Sequence, residues 1–311
     1  MAIAPSLSKS AYASETRSTS RTRRPRFKVE PIYYAFLTPT LLLFTVAITV
    51  PAALGIFFSF TNYAGFGDFA FTGLTNYIAV FQDPAIGASY VFTLAFSVVT
   101  VILVNIAALA LAVGLSSNIR YKTALRGVFV IPMVISGIVI AYVFSFLFSN
   151  SLPAAASAVG FAPLEQSILA NPDLAWISIV LVTAWQSIPG SLLIYLAGLL
   201  AIPSEVYEAG SLDGANAWQK FRAITFPLVA GYVVINTVLG FKNYINAYDI
   251  IVGLTDGGPG TATRSVAMTI FTGFTSGDYA YQMANATLFF VLAVVISVLQ
   301  LRVTRGKAFS L

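Results

Sequence analysis

Residues 88–115 read ASYVFTLAFSVVTVILVNIAALALAVGL, a long apolar stretch without a single charged side chain. An α-helix needs about 20 residues to cross the hydrocarbon core of a bilayer, because each residue adds about 1.5 Å. Stretches of comparable length and apolarity recur near 33–60, 124–148, 175–200, 228–252 and 283–303. We therefore predict an all-α integral membrane protein, folded as a bundle of six transmembrane helices.

The composition of the whole chain agrees with a membrane protein. Apolar residues make up 58% of the chain, charged residues make up 9%, and the mean hydropathy is +0.83. Soluble domains carry about 25% charged residues, so lipid must cover much of this apolar surface. The chain has no Cys and no His, which excludes thiol chemistry, histidine-based catalysis, Cys/His zinc sites and disulfides.

The distribution of Lys and Arg predicts how the bundle is oriented in the membrane. With the N-terminus in the cytoplasm, all but two of the 17 basic residues lie on the cytoplasmic side, and the exceptions are Lys242 and Arg264. Acidic residues such as Asp68 and Asp173 fall in the opposite loops. We therefore expect both termini to be cytoplasmic, and we assign the net charge of +5 to membrane orientation rather than to nucleic-acid binding.

Two regions are predicted from the change in composition near the N-terminus. Residues 1–31 are rich in Ser and Arg and indicate a disordered basic cytoplasmic tail. Residues 32–311 form one transmembrane domain. A cleaved signal peptide is the alternative for the N-terminal part, but the apolar stretch 32–60 is too long for the core of such a peptide.

The connection between the fourth and fifth spans reads PSEVYEAGSLDGANAWQKFRAITFP and is called the 203–227 segment below. It lies on the predicted cytoplasmic side, and its pattern indicates two short helices. Gly214 predicts a tight turn after Asp213, because glycine adopts positive φ without a steric penalty. Asn216 followed by Gln219 predicts a capping box at the start of the second helix.

Bulky apolar side chains recur in the second of these short helices. Trp218, Phe221 and Ile224 follow one another at a spacing of three, which places them on one side of a helix. Such groups on short cytoplasmic helices suit docking into a groove of another protein. An ordinary amphipathic loop packed beneath the bundle is the alternative.

The 203–227 segment resembles the EAA loop of binding-protein-dependent ABC importers, in which Glu-Ala-Ala is followed three residues later by Gly. The positions that match this pattern are Glu208, Ala209, Asp213, Gly214, Ala215, Phe221, Ile224 and Pro227. The chain departs from the pattern at Gly210, where a second Ala is usual. Because Gly in a helix interior costs roughly 1 kcal/mol, we expect the first short helix to be looser here.

Further stretches extend the resemblance over nearly the whole chain from the first span. They are 71–77 with 81–84, 126–132, 196–203, and 254–259 with Thr263. Together they resemble the carbohydrate-type importers, in particular the maltose-permease-like first permease subunit. The resemblance implies the six-helix fold of type I ABC importer permeases and a place in the cell membrane of a prokaryote.

The resemblance also implies the partners of this chain. These are a second permease subunit (or a second copy, as a homodimer), two ATPase subunits and an extracytoplasmic substrate-binding protein. The chain has no Gly-x-x-x-x-Gly-Lys-Ser/Thr sequence with which to cradle ATP. We therefore expect a transporter subunit that is not an enzyme and binds no cofactor, with ATP and Mg²⁺ held by the partner ATPase.

In the family, the EAA helices sit in clefts of the ATPases and relay their closure. The residues to which the resemblance assigns this coupling role are Glu208, Ala209, Asp213, Gly214, Ala215, Trp218 and Phe221.

Polar side chains in the fourth and fifth spans are candidates for the substrate pathway, since ionisable and polar groups inside a membrane are functional by default. The candidates are Lys242, Asn243, Tyr244, Asn246, Tyr248, Asp249, Trp185 and Gln186. Amide, phenol and carboxylate groups suit sugar hydroxyls, which both donate and accept hydrogen bonds. Two alternatives remain open for Lys242 and Asp249, namely a structural pairing and a position in water at the outer interface. Helix packing is the alternative for Trp185.

The sequence leaves the substrate open among oligosaccharides, amino sugars and glycerol phosphates. A self-contained, ion-coupled secondary transporter is the alternative function. It would use inverted repeats and broken helices around its ions.

Overall fold

The computed structural model describes residues 31–117 and 120–305. The basic tail predicted over 1–31 therefore lies outside the described residues, apart from Pro31, with which the first helix begins. Lys307, which contributes to the predicted orientation, also lies outside them. The cytoplasmic placement of the termini remains a prediction.

The described residues form a sequence of helices. They are α1 (Pro31–Phe44), α2 (Val50–Phe58), α3 (Thr75–Gln82), α4 (Pro84–Ser116), α5 (Lys122–Val134), α6 (Gly137–Phe146), α7 (Leu152–Val159), α8 (Pro172–Leu200), α9 (Ser204–Leu212), α10 (Ala217–Lys220), α11 (Phe226–Ile245), α12 (Asp249–Thr255), α13 (Val266–Thr275) and α14 (Tyr279–Arg305). Short π-helical turns at Thr45–Thr49, Leu147–Ser151 and Phe221–Thr225 join consecutive helices end to end.

Six stretches of the described chain are long and apolar enough to cross a membrane. They are Ile32–Phe58, Pro84–Ser116, Gly137–Val159, Pro172–Leu200, Ala217–Ile245 and Tyr279–Arg302. At about 1.5 Å per residue, each exceeds the roughly 30 Å of a hydrocarbon core. The prediction of an all-α fold with six membrane-spanning helices is confirmed.

The third span differs from the stretch 124–148 predicted for it. Helix α5 ends at Val134, the backbone of Ile135 and Ser136 is extended with ψ of 137° at both residues, and the span is α6 with its continuation to Val159. Pro132 weakens the helix just before this break, because proline lacks the backbone N–H that a helix interior requires. The carbonyl of Ile135 accepts a hydrogen bond from Gln186 Nε2 at 3.0 Å, which compensates for the interruption.

The fifth span also differs from its predicted bounds of 228–252. It begins earlier, at Ala217, and ends at Ile245. Asn246 Nδ2 donates to the Lys242 carbonyl at 2.8 Å, so the side chain satisfies a backbone group that the helix end leaves free. The backbone then turns at Tyr248, with φ −136° and ψ −62°, before α12 begins.

The chain divides into two compact units, residues 1–51 and 52–311. The first unit, described from Pro31, is α1 continued by the π turn at Thr45–Thr49. The Thr38 hydroxyl donates to the Tyr34 carbonyl at 2.6 Å, so this polar group is satisfied within its own helix. Such internal satisfaction is what a helix surrounded by lipid requires.

Helices α4, α8 and α11 pack against one another and form the core of the second unit. One apolar cluster includes Phe96 of α4 and Ile179 of α8. A second cluster lies toward the other end of the same helices and includes Ala108 and Leu192, both fully buried. Small side chains such as that of Ala108 let membrane helices approach closely, which compensates for the weak hydrophobic driving force between helices in lipid.

Candidate functional site

The 203–227 segment folds as the two predicted short helices, α9 and α10, separated by a closed turn. Gly214 has φ +75°, its N–H donates to the Ser211 carbonyl at 3.1 Å, and Ala215 N–H donates to the Gly210 carbonyl at 2.9 Å. These two bonds form a Schellman motif, which satisfies the last carbonyls of α9 and requires a left-handed backbone conformation at Gly214. The turn is therefore closed by two backbone hydrogen bonds, and its positive φ favours glycine.

The capping box predicted for the second short helix is present. Asn216 Oδ1 accepts from the Gln219 N–H at 2.9 Å, and Gln219 Oε1 accepts from the Asn216 N–H at 2.8 Å. Each side chain satisfies a backbone donor that the first turn of a helix leaves free. The start of α10 is thus fixed directly after the closed turn.

Three contacts hold α9 against the start of the fifth span. The hydroxyls of Tyr207 and Thr225 lie 3.0 Å apart, and Lys220 Nζ donates to Ser211 Oγ at 2.6 Å. Gly210 lies so close to Ile224 that a Cβ at this position would be 3.0 Å from the Ile224 Cδ1. The glycine that departs from the EAA pattern therefore lies where α9 is in close contact with the π turn at Phe221–Thr225.

Much of the outer surface of the 203–227 segment is exposed. Leu212 is 90% exposed and Trp218 is 66% exposed, and the Trp218 ring stacks on Phe221 with a centroid distance of 5.5 Å. Glu208 and Asp213 are exposed on the same short helix and turn, while Ala209 is exposed and Ala215 is half-buried. Two large apolar side chains are thus exposed on either side of the closed turn, Leu212 at the end of α9 and Trp218 in α10.

A polar cavity of about 350 Å³ lies between α8 and α11, next to the end of α5. It is lined by Met133, Gln186, Ser187, Gly190, Ser191, Ile194, Asn236, Leu239, Gly240, Asn243 and Tyr244. These lining residues are uncharged and offer amide, hydroxyl and phenol groups. Of the predicted pathway residues, the structure brings together Gln186, Asn243 and Tyr244 here.

Other predicted pathway residues lie elsewhere. Trp185 packs edge-to-face on Phe144, with ring centroids 5.3 Å apart, which agrees with the helix-packing alternative. Lys242 is exposed on a face of α11 that does not line the polar cavity. Within residues 31–117 and 120–305, no ion pair joins Lys242 to Asp249, the first residue of α12.

Asn246 and Tyr248 lie in the break between α11 and α12, beyond the end of the fifth span. The Tyr248 ring packs edge-to-face on Phe271 with a centroid distance of 5.2 Å. Burial raises the pKa of the Tyr248 phenol, and the carboxylates of Asp249 and Asp256 raise it further. This phenol is therefore neutral near pH 7 and remains a hydrogen-bond donor.

Three further polar residues in the spans around the polar cavity were not predicted from the sequence. Asn236 lines the cavity, and the Tyr195 hydroxyl of α8 donates to Asn105 Oδ1 of α4. The signal was present, because each asparagine is an amide within an otherwise apolar span. Polar residues inside membrane spans are functional candidates by default.

The motif at 254–259 shapes a connection after α12. Thr263 is fully buried, its hydroxyl donates to the Gly258 carbonyl at 2.6 Å, and it lies 2.8 Å from the Thr255 hydroxyl. The Thr263 N–H also donates to the Gly257 carbonyl at 3.2 Å. These residues therefore act together to close one loop.

The motif at 71–77 anchors the connection after the first span in a similar way. Asn76 Nδ2 donates to the carbonyls of Ser59 and Thr61, each at 2.8 Å. The hydroxyls of Tyr77 and Ser59 lie 2.6 Å apart. Downstream, Asp83 caps the start of α4 by accepting from the Ala85 N–H at 2.8 Å.

Comparison with known families identifies the chain. The model of the family described as "Binding-protein-dependent transport system inner membrane component" matches residues 105–306, more than half of the chain. The chain belongs to this family. It is therefore a multi-pass permease subunit of an ABC importer in the cell membrane, and not an enzyme.

Curated relatives match this permease over almost their full length. A multiple sugar-binding transport system permease of Streptococcus mutans is 34% identical, covering 88% of this chain and 94% of the relative. A probable starch degradation products permease of Thermoanaerobacterium thermosulfurigenes is 31% identical with the same coverage. A trehalose/maltose permease of Thermococcus litoralis is 30% identical, covering 92% of this chain and 98% of the relative.

Solved structures show the same fold. A chain in the crystal structure of a bacterial alginate ABC transporter, in complex with an alginate-bound periplasmic protein, superposes with a TM-score of 0.79 at 20% identity. The superposition covers 89% of this permease and 95% of that chain. The alternative of an ion-coupled secondary transporter is not supported by these findings.

Proposed function

We propose that this permease imports an uncharged sugar, which passes through the polar cavity between α8 and α11. The observation that carries the proposal is the lining of that cavity, which offers Gln186, Asn236, Asn243 and Tyr244 and no charged side chain. Amides and phenols both donate and accept hydrogen bonds, as sugar hydroxyls do. Three sugar permeases among the relatives support the same substrate class.

The absence of charge from the lining distinguishes between the substrates that the sequence left open. A phosphate group of glycerol phosphate is recognised by Arg or Lys, which are the usual partners of phosphate in proteins. Lys242 does not line the cavity, and neither does Arg264. The polar cavity therefore favours a neutral mono- or oligosaccharide over a phosphorylated substrate.

The 203–227 segment is proposed as the site at which an ATPase subunit docks. Exposed aromatic and aliphatic side chains that cluster on a surface mark interaction sites, and Trp218 and Leu212 are such side chains. The closed turn at Gly214 fixes the backbone between Leu212 and Trp218. A displacement of the turn by the ATPase would therefore be transmitted to the start of the fifth span. ATP and Mg²⁺ are bound by the ATPase in this proposal.

Transport would then follow from a rigid-body change between two packed states. The Tyr207–Thr225 contact ties α9 to the base of the fifth span, and that span carries Asn236 and Asn243 into the polar cavity. Movement of the 203–227 segment is therefore transmitted along α11 to the sugar. A second permease subunit, or a second copy of this chain, completes the pathway, and an extracytoplasmic binding protein delivers the sugar.

Co-expression and reconstitution test this function. The tagged chain is expressed with the second permease subunit and the ATPase subunits of its transporter and purified in detergent. The complex is then reconstituted into proteoliposomes with ATP inside and the binding protein outside. We expect an ATPase and a second membrane subunit to co-purify, and [¹⁴C]maltose or [¹⁴C]trehalose to enter only when ATP is present. Uptake by the chain alone, driven by an ion gradient without ATP, would refute the proposal.

A further inference from the structure

A second cavity, of about 390 Å³, lies where three membrane-spanning helices end. Helix α4 ends at Ser116, α8 ends at Leu200, and the fifth span begins at Ala217. All three residues line this cavity, together with Tyr207 of α9 and Lys220 of α10. It is called the boundary cavity below, because the ends of the spans place it at a membrane surface, on the side predicted to be cytoplasmic.

One wall of the boundary cavity is apolar. It includes Val113 of α4 and Leu199 of α8, which contribute to the second apolar cluster, and Phe221 of the π turn. Leu200 also lines the cavity and is 63% exposed at the last position of its span. The hydrocarbon core of the bilayer ends at this level, so the wall suits the part of a lipid acyl chain that lies next to the headgroup.

Lys220 supplies the boundary cavity with a positive charge. Its side chain is half-buried, and its Nζ donates to Ser211 Oγ at 2.6 Å. An ammonium group has three N–H donors, so this bond leaves donors for a ligand. Among the described lining residues there is no carboxylate that would neutralise the charge. The boundary cavity therefore favours an anion that also has an apolar part.

Two further basic residues raise the positive potential at this end of the spans. Arg126 Nη2 donates to the Leu115 carbonyl at 3.0 Å, one residue before α4 ends, and so offsets the negative end of that helix. Arg222 is exposed two residues after Lys220. Anionic lipids of the cytoplasmic leaflet are attracted by basic groups at the membrane surface. A free phosphate would gain from the charge alone, whereas an anionic lipid would also gain from burial against the apolar wall.

We propose that the boundary cavity binds an anionic phospholipid, with the phosphate against Lys220 and the start of an acyl chain against Leu199 and Leu200. A phosphate oxygen accepts a charge-assisted hydrogen bond from the ammonium group, which is stronger than a bond between neutral groups. Because Lys220 also bonds to Ser211 of α9, the bound lipid joins the 203–227 segment to the membrane surface. The inference goes beyond the proposed function and does not depend on which sugar is imported.

Lipid binding to the complete transporter tests the proposal. The complex is freed of lipid in detergent and titrated with dioleoylphosphatidylglycerol, and the tightest lipid adduct is followed by native mass spectrometry, which also shows that all subunits are present. The variant is Lys220→Gln. Arg222→Gln is the matched control, because it removes the same charge from an exposed residue that does not line the cavity. Ser211→Ala is the second control, because it removes the partner of Lys220 and keeps the charge.

We expect Lys220→Gln to weaken the tightest phosphatidylglycerol adduct by about tenfold, which corresponds to the loss of one hydrogen bond to a charged group. Arg222→Gln and Ser211→Ala should retain the affinity of the unaltered complex. Dioleoylphosphatidylcholine, which has no net charge, should bind more weakly than phosphatidylglycerol. Free sn-glycerol 3-phosphate at the same concentration should not displace the lipid, because it has no acyl chain for the apolar wall.

Other results would overturn the inference. Unchanged affinity in Lys220→Gln would exclude the boundary cavity as the lipid site, and an equal loss in Arg222→Gln would indicate attraction by surface charge alone. Displacement by sn-glycerol 3-phosphate would indicate a site for a free phosphate ester. If Lys220→Gln does not assemble, Ala217→Phe fills the cavity and keeps the charge, and unchanged lipid affinity in that variant would equally refute the site.

Discussion

A β-branched residue in place of Gly214 should uncouple ATP hydrolysis from transport. The Gly214 φ of +75° lies in the left-handed region, and nothing lies within 4 Å of the position that a Cβ would occupy. A substitution there is therefore limited by backbone conformation and not by space. The left-handed conformation costs an L-residue roughly 1–2 kcal/mol, and a β-branched residue is a genuine outlier there.

The expected effect of Gly214→Val follows from this penalty. Since about 1.4 kcal/mol corresponds to a tenfold change in an equilibrium constant, a penalty of this size lowers the equilibrium constant for the closed Schellman turn against an open turn by about tenfold. An open turn loses the bonds from Gly214 to Ser211 and from Ala215 to Gly210. We expect ATP-driven maltose or trehalose uptake to fall by about tenfold or more, with normal insertion into the membrane.

The assay compares uptake in proteoliposomes with the amount of chain in the membrane and with ATP hydrolysis by the same preparation. Gly67→Val is the matched control, because Gly67 has a φ of +76° and equally open surroundings in a different loop. Gly214→Asn should retain most of the uptake, since asparagine tolerates the left-handed region. Full uptake by Gly214→Val would show that the closed turn does not transmit the force of the ATPase.

Two further predictions concern the same segment. Trp218→Ala removes a side chain that is 66% exposed, so we expect the melting temperature of the isolated chain to change little. We expect the amount of ATPase that co-purifies to fall several-fold. Retention of the ATPase at the unaltered level would contradict a docking role for Trp218. Gly210→Ala restores the usual EAA residue but places a Cβ 3.0 Å from Ile224 Cδ1. Alanine in a helix interior is worth roughly 1 kcal/mol over glycine. We expect this increase in the free energy of unfolding to appear only when Ile224→Val is added, because valine has no Cδ1. Thermal unfolding of the two single variants and the double variant measures this coupling, and equal stabilisation by Gly210→Ala with and without Ile224→Val would argue against the close contact.

Features governed by neighbours along the chain could be predicted from the sequence. The six spans follow from apolar length, and the turn at Gly214 and the capping box at Asn216 follow from spacings of a few residues. These features were predictable because backbone conformation and capping depend on residues within one or two turns. The resemblance of the 203–227 segment to an EAA loop rests on the same local pattern.

The tertiary structure alone decided which polar groups meet. Hydropathy placed Asn243 and Asp249 in one span, but a break at Asn246 leaves Asn243 in the polar cavity and starts a new helix at Asp249. Gln186 and Asn236 share that cavity because α8 and α11 rotate their polar faces toward each other. Packing against residues distant in sequence sets the rotation of a helix about its axis. Composition and local spacing therefore determined that this protein crosses the membrane six times. Only the packing of the spans determined where a sugar could bind.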